Sequence, residues 1–121
     1  MSKQLNELVE RLTVEQYLEC SRPQKSTKSL QECINRNYVH IMFKNTGTEL
    51  GMELDRQSCD FSNCDFNTAK GEVILSGAFI LNYDKVKCIA KIDIATCEGT
   101  GYLQSLSDSE YEELAGKATA Y

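Results

Sequence analysis

Six cysteines and one histidine are the residues with the clearest chemical potential in this 121-residue sequence. Two of the cysteines open a near-duplicate, Cys59-Asp60-Phe61-Ser62-Asn63 followed by Cys64-Asp65-Phe66-Asn67-Thr68. A zinc site asks for two closely spaced Cys or His pairs. Here Cys59 and Cys64 have no second pair to join, and Cys20, Cys33, Cys88 and Cys97 are scattered. Asp60, Asp65 and Asn67 supply oxygen donors, without the acidic spacing and central glycine of a calcium loop. The Cys-x-x-Cys spacing of a redox pair is missing too. The sequence therefore implies no metal and no cofactor.

His40 is the only candidate general base. To act as one it needs a carboxylate to orient it, and Glu53 or Asp55 on the following segment would lie opposite if the chain turns at Asn45–Thr48. No nucleophile elbow, phosphate loop or metalloprotease motif accompanies it. Glu98-Gly99-Thr100-Gly101 lacks the strand-to-helix setting that binds phosphate. No catalytic residue is assigned, and the sequence points away from an enzyme.

Those residues depend on the elements around them. Leu5, Leu8, Val9 and Leu12 keep helical spacing over about 2–12. Thr13 with Gln16, and Ser107 with Glu110, have the form of capping boxes, each with a Leu before the cap and a Tyr at N4. They predict helices over about 14–20 and 108–115, the second stopped by Gly116. Leu30, Cys33 and Ile34 predict another over about 27–36. Alternation then takes over at Tyr38–Lys44 and through Leu50, Met52 and Leu54. Glu72 to Asn82 is apolar on both faces, as expected of a strand that is central and covered on both sides or that lies in a strongly curved sheet. Asn82-Tyr83-Asp84 makes a turn, Lys85–Ala95 a further strand with Cys88 facing the core, and 99–104 a short edge strand. The expected fold is a single α+β domain over 1–121: N-terminal helices, a four- to five-stranded antiparallel meander sheet and a short C-terminal helix. That layout resembles the cone-shaped ligand-binding folds that include nuclear transport factor 2-like domains, a resemblance of arrangement that would imply a pocket between helices and sheet.

Between two strands, residues 56–71 form a connection longer than compact domains usually carry without a function. Cys59 and Phe61 would share a face, with Cys64 and Phe66 returning on it after a turn at Ser62-Asn63, a small hairpin or a pair of bends anchored by the two Phe side chains. Arg56, Asp60, Phe61, Asn63, Asp65 and Phe66 are therefore the candidate binding residues.

The net charge of −5 argues against direct binding to nucleic acid or to an anionic membrane. Arg22, Lys25 and Lys28 form the one basic cluster. No apolar run is long enough to span a bilayer and no signal segment opens the chain, so a soluble cytoplasmic protein with reduced thiols is expected. The function expected is that of a small acidic interaction protein (inhibitor, immunity-type or adaptor module). Its partner would be another protein, a basic one by charge complementarity, and a second copy of the chain is the other expected contact. The alternative is a small-molecule pocket protein or small enzyme.

Overall fold

The computed structural model describes residues 7–119, with side chains from Glu7 to Leu114. In chain order the elements are α1 (Glu7–Leu12), β1 (Gln16–Glu19), α2 (Thr27–Asn35), β2 (Tyr38–Phe43), β3 (Thr48–Glu53), a 3-10 turn at Arg56–Ser58, β4 (Cys64–Asp65), β5 (Lys70–Leu81), β6 (Asp84–Asp93), β7 (Glu98–Ser105) and α3 (Asp108–Thr119). The α+β class is as expected, but the strands among the described residues number seven rather than four or five. They form one antiparallel sheet in the order β3-β2-β1-β7-β6-β5-β4.

The main correction is β1. The sequence predicts a helix over 14–20, and Gln16–Glu19 is a strand instead. Both partners of the expected capping box are occupied elsewhere. Thr13 donates its hydroxyl to the Glu10 carbonyl at 2.7 Å. The Gln16 amide donates to the Arg11 and Val14 carbonyls at 2.9 and 3.0 Å, closing the end of α1. The freed segment pairs with β2 on one side and β7 on the other. It seals Leu18 completely into the core. The sheet is thus no simple meander, and the expected edge strand 99–104 is internal, held between β6 and β1.

Of the expected helix over 2–12, residues 7–12 are seen as α1, and its earlier residues lie outside the described ones. α2 follows the reading closely: Ser26 caps it by accepting from the Ser29 N–H at 3.1 Å, and Leu30, Cys33 and Ile34 face the core. The box at α3 is complete, with Glu110 N–H donating to Ser107 Oγ at 3.2 Å and Ser107 N–H to Glu110 Oε1 at 2.8 Å. Gly116 does not stop this helix, which continues to Thr119.

The sheet curls until its two ends meet. Beyond β3, the Asp55 N–H donates to the Ser76 carbonyl of β5 at 2.8 Å. This approach needs Gly77, because any Cβ there would collide with the backbone carbonyl of Glu53. The interior holds Ile41 and Phe43 from β2, Val73 and Leu75 from β5, and Val86, Cys88, Ala90 and Ile92 from β6, with α1 and α2 adding Leu12 and Leu30. β5 is not central but next to the short edge strand β4. Its apolar second face is explained by α3, which packs against β5 and β6. Lys85, on the face opposite Val86 and Cys88, reaches Asp108 at 2.9 Å and lies 5.6 Å from the Tyr111 ring centre.

Candidate partner-binding surface

The 56–71 segment is more ordered than a plain loop. Besides the 3-10 turn and β4, Asp60 exchanges both backbone hydrogen bonds with Ile74 at 2.9 Å. Of the two forms expected, a hairpin between Cys59–Phe61 and Cys64–Phe66 does not form, and a pair of bends anchored by the two phenylalanines does. Each half pairs separately with β5, Asp60 with Ile74 and Cys64 with Gly71.

The near-duplicate has a structural cause in its repeated Cys-Asp-Phe. Asp60 accepts from the Ser62 hydroxyl at 2.6 Å and the Ser62 N–H at 2.8 Å. Those bonds hold its carboxyl below the usual range. Asp65 accepts from the Asn67 N–H at 2.9 Å. Each aspartate closes its own turn two residues on. Phe61 and Phe66 then both pack against the core.

Of the six candidate residues, the structure brings Arg56 and Phe61 together, the guanidinium lying 5.4 Å from the ring centre. Arg56 also donates to the Ile34 carbonyl at 2.8 Å, where a cation suits the C-terminal end of α2. Asn63 gives its carbonyl to Glu72 N–H at 3.1 Å and sits exposed, as does Asp65. Arg56, Asp60, Phe61 and Phe66 are half-buried. These contacts use side chains largely for the segment's own folding.

His40 pairs with Gly51, not with a carboxylate. Glu53 lies opposite Tyr38, and Asp55 is buried, accepting from Ser58 Oγ at 2.8 Å. The imidazole instead meets the Tyr38 ring edge-on at 5.3 Å. Burial pushes the Cys88 thiol up to about 12 and raises Cys20 further, which keeps both as thiols. Among the described residues no group of three His, Cys, Asp or Glu side chains is placed to hold a metal. Among them also, no helix is long and apolar enough to cross a membrane.

The tip of the β5–β6 hairpin is different. Asn82 and Tyr83 alone connect two long strands, and their φ angles are 49° and 72°. A two-residue hairpin turn of this kind needs positive φ at both positions, normally supplied by Asn-Gly. Asn tolerates the left-handed region, whereas a bulky tyrosine there is strained. Tyr83 gains no packing in return, since it is 94% exposed. Ile80, three residues before it, is 53% exposed. An exposed aromatic on a strained turn at the end of two fully paired strands is a rigid apolar projection. In the sequence this stretch reads only as a turn. The available signal was the residue type, a tyrosine where the backbone favours glycine. Val14 and Tyr17, at 66% and 67% exposure, add apolar surface at β1.

A curled antiparallel sheet with exposed apolar side chains at its rim and helices packed on it defines a small α+β protein. The family model of the core binding factor beta subunit matches residues 10–119. The chain belongs to the core binding factor beta subunit family, and it is accordingly a protein-binding subunit. No curated protein matches the sequence.

Proposed function

We propose that this chain is an adaptor subunit that binds a DNA-binding transcription factor, and that it does so through the β5–β6 hairpin tip. Of the kinds of interaction protein expected from the sequence, the adaptor agrees best with a family named for a subunit of a binding factor. The observation that carries the choice of surface is Tyr83, a strained and 94% exposed aromatic that the fold itself does not use. Ile80 widens the apolar contact, and aromatic anchors of this kind dominate interface energies. The net charge of −5 keeps the chain itself off DNA and favours approach to a basic partner.

The test is calorimetric titration of the chain with the DNA-binding subunit of the same factor. Tyr83→Ala is expected to weaken binding by about tenfold or more, the usual effect of losing an aromatic hot spot. An unchanged affinity would remove the hairpin tip from the interface.

A further inference from the structure

We propose that the groove between α2 and the β2–β3 hairpin is a second binding site, which takes a short, extended, acidic peptide segment of a partner protein. Arg22, Pro23, Cys33, Arg36, Tyr38 and His40, with Glu49, line an open cavity of about 620 Å³. It shares Pro23 with a second cavity of about 410 Å³ along α2, where Lys28 and Glu32 balance each other in charge. Two neighbouring hollows along one helix suit an extended chain rather than a compact molecule.

The charge of the larger cavity is opposite to that of the molecule, two arginines against one glutamate. In a chain of net charge −5, two arginines and the sole histidine converge on the larger cavity. Its one carboxylate, Glu49, is already paired with Arg22 at 3.3 Å. Arg36 makes no ion pair among the described residues, and its guanidinium has only the Cys33 sulfur at 3.5 Å. A guanidinium left open in this way offers its fork to a carboxylate in two-point geometry. Tyr38 supplies an apolar floor. It lies across Gly51, where any Cβ would displace its ring, and meets His40 edge-on. An acidic segment is repelled by the rest of the surface and drawn here.

This site is independent of the hairpin-tip reading, and each can fail without the other. The experiment is amide-shift titration of the isotope-labelled full chain with acetyl-Glu-Glu-Tyr-Glu-Glu-amide and with its all-Gln counterpart. Saturable shifts at Arg22, Arg36 and His40 are expected from the acidic peptide. The Gln peptide should bind about tenfold more weakly, the scale of one charge-assisted hydrogen bond. Arg36→Gln should weaken the acidic peptide by a similar factor, and added salt should do the same. Glu49→Gln, which frees Arg22, should tighten binding several-fold, and it keeps the test valid if the Arg36 variant is poorly folded. Tyr83→Ala should leave binding unchanged. Equal binding of the two peptides, shifts confined to another surface, no saturable shift, or indifference to both groove substitutions would each overturn the proposal.

Discussion

At the scale of single residues, the side chains with the most chemical promise turn out to hold the fold. The repeated Cys-Asp-Phe looks like a ligand loop because its residue types are reactive, yet each aspartate closes a turn and each phenylalanine anchors it. Phe61→Ala should therefore cost stability, about 1–2 kcal/mol, less than the 3–5 of a fully buried ring because Phe61 is only half-buried. Denaturant unfolding checks this, and loss of partner binding at unchanged stability would return the ring to the interface. Glu98 is a second case. Lys25 at 2.8 Å and Lys44 at 2.5 Å bind its two oxygens and lower its carboxyl from 4.5 to about 2. A depressed carboxyl stabilises the fold above its unfolded pKa, and that contribution disappears as pH falls from about 4.5 to about 2. Glu98→Gln should melt below the parent protein at pH 7, with the gap closing across that window. A gap that stays constant down to pH 2 would rule the ion pairs out as its cause.

Elements were legible where their determinants are local. The ends of α2 and the start of α3 lie close to the positions expected, because Ser26 with Ser29 and Ser107 with Glu110 satisfy the helix termini within one turn. The same grammar misled at Thr13–Gln16. There the competitor is pairing with β2 and β7, strands about 25 and 80 residues further along, which no local pattern reports. Leu18→Ala tests whether β1 closes the sheet, with a loss of about 2–5 kcal/mol expected from a fully buried leucine. A loss below 1 kcal/mol would mean that β1 frays. The two apolar faces of β5 were visible in sequence, but what covers the second was not, since α3 returns to it from the far end of the chain. Gly77 was equally unreadable, because its need arises only where the sheet ends meet. Gly77→Ala should destabilise by about 2 kcal/mol, in the range of forced overpacking. A neutral outcome would place Glu53 farther from β5 than the curl requires.

For the molecule as a whole, burial divides the thiols into two sets. Cys20, Cys33, Cys88 and Cys97 are buried, while Cys59 and Cys64 are half-buried. A maleimide should label Cys64 and Cys59 in the native protein and reach the other four only on unfolding, as peptide mapping would read out. The candidate surface was the least legible feature. The proposed surface at the hairpin tip leaves no motif, only a tyrosine whose exposure and backbone angle emerge once twelve- and ten-residue strands are paired. The central claim is that this residue is kept for binding at some expense to folding. The most direct measurement is the melting temperature and partner affinity of Tyr83→Gly, taken on one preparation. Relief of left-handed strain, about 1 kcal/mol, should raise the melting temperature by a few degrees while affinity falls about tenfold or more. A lower melting temperature with unchanged affinity would contradict the account.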